Sequence, residues 1–371
     1  MPSCQVATMA QTKWQAVPLG AFYPYPRWMP RSAMGWVAVA LALSSAGATR
    51  AHADSSVVVT LTPAGEQLAS YLGLSVPALI QNAQDKFNSL FQTANLPSLL
   101  TAFASITAIS DRGLGVDYAV TGHDLMIGAV ANGAVPTDPS LDSANVIGGF
   151  IFNFGVMVGA NLGRWGAPRF TVFLNGFYEA AGYKDLQGHL TTGGAHVQYR
   201  VLDGAGHGAV RWTGLDVTSG LELANWQIST KRDSLAINFK VENPDTGKGE
   251  HLVFQSMGVM NVEANAITVP LEVTSGVSLG DLVTLYAGGG VDLTSSTATI
   301  DVNLDGELYI RTNMEDVGHA TVKATGQASP SSITAHALAG LQFKLPHGNV
   351  YTQGIVSPDN EGVAFGFRIV F

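Results

Sequence analysis

The sequence has little charge and almost no cysteine. Asp, Glu, Lys and Arg together make up 13% of 371 residues, against 46% hydrophobic, and mean hydropathy is +0.20. That is more apolar and less charged than an average soluble domain. The one cysteine, Cys4, lies near the start, which excludes a disulfide-stapled secreted scaffold. Long apolar runs are missing too. A membrane-crossing helix needs ~18 or more consecutive apolar residues, and the only sustained candidate, Gly35 to Ala46, is too short. Basic residues number 19 against 28 acidic ones, so nucleic acid is not an expected partner. None of the nine histidines forms H-E-x-x-H or H-x-H, and neither a metal nor another cofactor is expected.

The short apolar stretch has a different use. Arg27 and Arg31 precede it and Ala51-His52-Ala53 comes after it, the order of a secretory signal. We expect cleavage after Ala53, with residues 1 to 53 a signal and upstream extension, and with Met29 an alternative start. The mature chain then keeps 15 basic and all 28 acidic residues, a net charge of −13.

Between Thr62 and about Ile109 the apolar period is helical. Ser75 is placed to cap a helix with Pro77 in its first turn, and Ile80, Ala83, Phe87, Leu90 and Phe91 share one face. Pro97 begins a second such stretch, with Leu100, Phe103, Ile106 and Ile109. The expected division is a helical segment over 54 to 112 and a β domain over 113 to 371, the first plugging or capping the second on its periplasmic side.

From Gly113 onward the period is two. In "TATIDVNLDGELYIRT", residues 297 to 312, Ala298, Ile300, Val302, Leu304, Leu308 and Ile310 share one face, and Thr297, Asp301, Asn303, Asp305, Glu307 and Arg311 the other. Asp305-Gly306 also suits a hairpin turn, but the alternation runs through it in phase, which favours one long strand. The pattern recurs at Leu235 to Val241, Ile267 to Val273, Ile333 to Leu345 and, with aromatics, Phe150 to Val158. A soluble sandwich alternates in the same way. Long strands, sparse charge and an export signal together favour transmembrane strands, which need ~9–11 tilted residues with an apolar lipid face and a polar lumen face.

The last ten residues, "GVAFGFRIVF", place Val363, Phe365, Phe367, Ile369 and Phe371 on one face. This stretch resembles the closing strand of outer-membrane β-barrel proteins of Gram-negative bacteria. In that family the terminal aromatic and the alternate apolar residues, here Phe367, Ile369 and Phe371, are read by the periplasmic assembly machinery. The resemblance implies an all-β fold, a closed antiparallel transmembrane β-barrel in the outer membrane, surrounded by its lipid. We count about 14 strands, with 12 the runner-up, centred near residues 122, 154, 173, 195, 219, 238, 257, 269, 287, 304, 321, 339, 352 and 367. The longest external loop is expected at 130 to 145.

The alternation assigns Glu272, Asp292, Asp301, Asp305 and Glu307 to an acidic lumen wall, faced or paired by Arg311, Lys344 and Arg368. Charge on a lumen wall tunes selectivity, and these eight residues are the candidate lumen-lining set. Bracing the interior is the competing role. Gly276-Val277-Ser278-Leu279-Gly280 matches a nucleophile elbow, but a strand comes next where a helix is needed. Asp301-x-Asn303-x-Asp305-Gly306 begins like a calcium loop, but the twelfth position is Thr312, and alternate strand residues lie ~6.6–6.8 Å apart. Gly288 to Gly290 mark a wall kink or a docking point for the helices.

Passage of a small solute through a partly plugged barrel is the expected function, and no catalytic residue is expected. A helical segment preceding about fourteen strands is similar to the fatty-acid and aromatic-hydrocarbon channel family, whose characteristic Asn-Pro-Ala is absent here. The alternatives are an outer-membrane lipid-acting hydrolase, for which His189 or His196 would serve, and a structural barrel with no transport role.

Overall fold

The computed structural model describes residues 50–371, except 94–95, 111, 113–114, 120–123, 138–150, 184 and 281. Cys4, most of the expected signal and the second half of the expected loop, 138 to 145, lie outside the described residues, whereas 130 to 136 of that loop are strand.

Among the described residues, twelve antiparallel strands form one sheet: β1 (Arg50–Leu61), β2 (Leu125–Pro136), β3 (Ile151–Asn161), β4 (Phe170–Tyr183), β5 (Leu186–Ala205), β6 (Val210–Glu242), β7 (Gly249–Leu279), β8 (Val283–Ile310), β9 (Asp316–Ser329), β10 (Ile333–Leu345), β11 (Gly348–Val356) and β12 (Asn360–Val370). Ten of them close a ring, in the order β8, β10, β11, β12, β2, β3, β4, β5, β6, β7 and back to β8. Closure gives every ring strand a hydrogen-bonded neighbour on each side, as a bilayer requires.

The ring has fewer strands than the fourteen expected, for a definite reason. Segments centred near 219 and 238, 257 and 269, and 287 and 304 are three strands, not six, because β6, β7 and β8 run unbroken for 33, 31 and 28 residues. Asp305-Gly306 is therefore strand and not a turn. β8 pairs with β10 over residues 283–293 and with β9 over 298–309. The upper halves of β6, β7 and β8 thus leave the ring and, with β9 and β1, make a five-stranded extension. β1 was not foreseen as a strand, and the expected cleavage after Ala53 falls within it.

Three helices come after β1. Thr62 caps α1 (Pro63–Leu72), its Oγ1 accepting from Gly65 N at 3.3 Å, and Gly73 closes it at φ 72°, the left-handed conformation glycine adopts without strain. Ser75 Oγ accepts from Ala78 N at 3.3 Å at the start of α2 (Val76–Thr93). α1 and α2 lie on the extension. Phe87 is edge-on to Phe239 and Phe254, with ring centroids 5.0 and 5.1 Å apart, inside a core that includes Leu72, Leu79, Ala83, Leu252, Val302, Leu308 and Val322. α3 (Leu96–Ile109) runs on from that core into the ring, where Ile106 and Ile109 pack with Met157, Phe173 and Leu338.

The polarity of the sheet inverts along its length. In the ring, the outward residues are apolar: Leu223 on β6, Ile267, Leu271 and Val273 on β7, Leu285 and Leu293 on β8, and Phe365 and Phe367 on β12 are all exposed. Inward residues there are buried and polar, among them Asn132, Thr192, Gln198, Thr218, Thr274 and Gln353. Beyond Leu223, Ile267 and Leu293, β7 and β8 turn Glu263, Ser295, Thr297 and Asp301 outward and Ala264, Ala298, Ile300 and Val302 inward. From Ile267 to Leu279 the strand spans ~40 Å, which a ~45° tilt reduces to near the ~25 Å apolar band of an outer-membrane barrel. Below the inversion the outside is lipid and the inside polar. Above it the outside is water and the inside is the apolar core under the helices. The protein is an outer-membrane β-barrel with a helix-covered extension.

Candidate functional site

α3, Ser110, Arg112 and residues 115–119 fill the lumen. Thr107, a hydroxyl inside an apolar helix, donates its proton back to Phe103 O at 2.7 Å, and Thr101 does the same to Pro97 O at 2.9 Å, so neither competes with the packing. The wall holds the helix by one backbone carbonyl and one side-chain hydroxyl. Ser296 Oγ donates to Ala104 O at 2.8 Å, and Asn360 Nδ2 donates to Ser105 Oγ at 2.6 Å. Past the helix end, Asn132 Nδ2 donates to both Ser110 O, at 2.7 Å, and Arg112 O, at 3.1 Å.

Arg112 is the centre of the lumen. Its guanidinium lies 2.7 Å from Asp292 Oδ1, 3.3 Å from Glu222 Oε2 and 3.7 Å from Glu272 Oε1. The three carboxylates project from β8, β6 and β7, neighbours in the ring. Even-numbered positions face inward on all three strands, and Asp292 pairs with Pro270 while Glu272 pairs with Gly290, so the acids fall at one level. His336, from β10, stands between two of them, Nε2 3.0 Å from Glu272 Oε1 and Nδ1 3.0 Å from Asp292 Oδ2. Of these two contacts, the one between Nε2 and Glu272 is a hydrogen bond. Tyr118 Oη donates to Glu272 Oε2 at 2.7 Å. Three acids thus face one guanidinium, one imidazole and a phenol, all buried. Burial without such partners would cost several kcal/mol per ion, at about the scale of desolvation.

A second ion pair ties the segment to the last strand. Arg368 Nη1 lies 2.9 Å from Asp117 Oδ1 and Nη2 donates to Val116 O at 2.6 Å, while its guanidinium stacks 3.9 Å from the Tyr351 ring centroid.

The eight candidate lumen residues divide at the polarity inversion. Glu272, Asp292 and Arg368 are inward and buried in the ring. Lys344 shares the inward parity of Gln342 near the end of β10, half-buried. Asp301, Asp305 and Glu307 do not line the lumen. They lie on the outward, watery face of the extension, where His319 bridges Asp305 at 3.0 Å and Glu307 at 3.2 Å. Arg311 sits exposed in the β8–β9 turn. The rule that assigned them, polar side to the lumen, holds only where lipid surrounds the strand. On β6 a register shift between Arg232 and Leu235 turns the even positions Asn238, Lys240 and Glu242 outside.

Arg112, Glu222 and His336 were not singled out from the sequence. His336 and Glu222 carried a legible signal, since both lie among apolar or small neighbours at inward parity, but Arg112 lies where no period exists. Ser278 of the elbow motif meets Thr284 Oγ1 at 2.9 Å, in strand geometry. His189 takes the outward parity of β5, whereas His196 is inward, 3.7 Å from Glu222. At Gly288 and Gly290 a Cβ would collide with Val273 O and Leu271 O, so these glycines serve close approach of the β7 backbone.

Residue 371 lies beside Leu125, at the ring end that carries the 346–347 turn, whereas α1 and α2 lie at the opposite end.

Among solved structures, the chain is similar to the outer membrane protease OmpT of Escherichia coli (7% identity, 69% of this chain and 100% of that one, TM-score 0.37). It is similar also to the CymD monoaromatic hydrocarbon channel (9%, 73% and 94%, TM-score 0.25) and to the translocator domain of autotransporter NalP of Neisseria meningitidis (12%, 72% and 94%, TM-score 0.28). No curated protein matches the sequence. A family model described as Lsa36-like matches residues 56–371, and the chain belongs to the Lsa36-like family.

Proposed function

We propose that this barrel is a channel for small solutes, closed by its own segment 96–119 and opened when residues 110–119 leave the ion-pair cluster. One observation carries the reading: the lumen segment is held at Arg112 and Asp117 by charges and carbonyl contacts, while α1 and α2 are held by an apolar core. Charged groups regain hydration when they separate, whereas apolar groups lose ~25 cal/mol per Å² on exposure. The lumen segment is therefore the part of the N-terminal region whose polar contacts water can replace once it enters the ring. Transport is preferred to lipid hydrolysis because His196 faces Glu222, within the ion-pair cluster, and His189 faces outward. With the last strand ending in the periplasm, α1 and α2 cover the outer mouth. The outward row Val363, Phe365, Phe367 and Ile369 is then the face offered to the assembly machinery and to lipid.

Planar-bilayer conductance of the refolded protein tests this. The double variant Arg112→Ala with Asp117→Asn is expected to conduct where the parent is quiet. Adding cysteines at Ser105 and Asn360, whose side chains touch, is expected to silence it again on oxidation. A silent double variant with an intact ring defeats the channel reading.

A further inference from the structure

Glu222, Glu272 and Asp292 come from three adjacent strands and meet at one level of the wall, with His336 behind two of them. Only one of the groups in this cluster that bear on the acids as cations belongs to the removable segment. When Arg112 leaves, the wall keeps its three acids and loses the guanidinium that faces them. Such a site does not stay empty, because buried carboxylates without a counter-charge are costly. The wall is also shaped for a planar cation. The acids reach Arg112 from more than one side, with Nη2 near both Asp292 and Glu222 and Nη1 near Glu222 and Glu272. A guanidinium presents donors in a fixed fork, which an alkali ion or an ammonium does not.

Another side chain is aimed at the same place. His196 is 3% exposed, neither ring nitrogen has a hydrogen-bond partner, and Nε2 lies 3.7 Å from Glu222 Oε1. It stands over Gly194 and Gly220, where a Cβ would meet the ring. The imidazole therefore borders the guanidinium site with a free nitrogen, at hand for a ligand larger than Arg112. A small cavity lined by Ser105, Ile109, Thr294, Thr334 and Asn360 adjoins Asp292 from the α3 side.

We infer that the wall cluster Glu222, Glu272, Asp292 and His336 is a binding site for guanidinium-bearing solutes, in which Arg112 sits as the tethered occupant. The inference rests on the channel reading and names its substrate class: solutes carrying a guanidinium group compete with Arg112 for the acids, and by displacing it they open the path they use. Inorganic cations lack the fork and are poor competitors.

Chemical rescue tests it in the full chain. In Arg112→Ala, millimolar methylguanidinium is expected to raise the midpoint of the heat-modifiable transition, while sodium or tetramethylammonium at equal ionic strength is not. In the parent Arg112 competes for the acids, so a much smaller rise with methylguanidinium is expected. Adding Asp292→Asn to Arg112→Ala is expected to abolish the rescue. Should Arg112→Ala not refold alone, refolding yield with methylguanidinium becomes the readout, and Arg112→Lys serves as the folded reference. Equal effects of all three cations, or no recovery of Arg112→Ala under any of them while Arg112→Lys folds, overturn the site. The channel reading is judged separately by conductance. A selective rescue in a protein that never conducts keeps the site and removes the channel, and conductance without selective rescue does the reverse.

Discussion

On β8, Leu293 and Asp301 point to the same outer face, ~27 Å apart along the strand, and one meets lipid while the other meets water. The membrane boundary therefore crosses a single strand between them. Val273→Arg, within the lipid band, is expected to lower stability by about 2–4 kcal/mol, and Asp301→Leu to change it by no more than about 0.5 kcal/mol. Urea unfolding in lipid vesicles measures both. Equal costs would place the boundary elsewhere.

Arg368 and Asp117 join the last strand to the lumen segment. Arg368→Met leaves Asp117 buried without its cation, and a loss of about 3–5 kcal/mol is expected. Adding Asp117→Ala should return part of that loss, because the stranded charge goes with it. A double-mutant cycle isolates the coupling, and additive losses would show that the pair is not coupled.

Phe87 anchors α2 on Phe239 and Phe254. Phe87→Ala is expected to cost the helix layer about 3–5 kcal/mol. Because this core lies in the extension, the helices should open to protease between residues 63 and 93 while the ring keeps its heat-modifiable mobility. Loss of both together would show one cooperative unit.

His319 lies outside the lipid band, where its hydrogen bond to Glu307, with that to Asp305, raises its pKa above the usual 6.5. A raised folded value means that its contribution is complete below pH 6.5 and is lost as pH climbs through the raised value. Asp305, lowered by the Thr321 hydroxyl and then by His319, loses its contribution as pH falls through its own lowered value. The group is partly exposed, so solvent screening limits the effect to about a few tenths of a kcal/mol. His319→Gln should remove the alkaline arm of the stability profile, read by urea unfolding at pH 6 and pH 9. An unchanged profile would show that the bridge carries no stability.

Much of this architecture was legible. Alternation at Phe152 to Val158 and at Val363 to Ile369 located ring strands and their lipid faces, because a two-residue period has one physical origin in a half-buried strand. Ser75 and Pro77 marked α2. The strand count failed at β7 and β8 because the apolar positions change parity where each strand passes from lipid into water, odd at Ile267, Leu271 and Leu293 and even at Ala264, Ala298 and Ile300, and such a change of phase reads as a strand boundary. Glu272, Asp292 and Arg368 could be assigned to the inner wall from parity alone, but the same parity argument misplaced Asp301, Asp305 and Glu307.

By itself the sequence determined that the chain builds long antiparallel strands behind a short helical segment, and that one face of those strands seeks an apolar environment. Period and composition suffice for that, being local properties. Only the tertiary structure decided which environment lies on which side, because an aliphatic row is buried by lipid outside the ring and by α2 inside the extension. It also decided what Arg112 does. A lone arginine in an aperiodic stretch acquires its role from three carboxylates that are 110 to 180 residues away in the chain and meet it only when the ring closes.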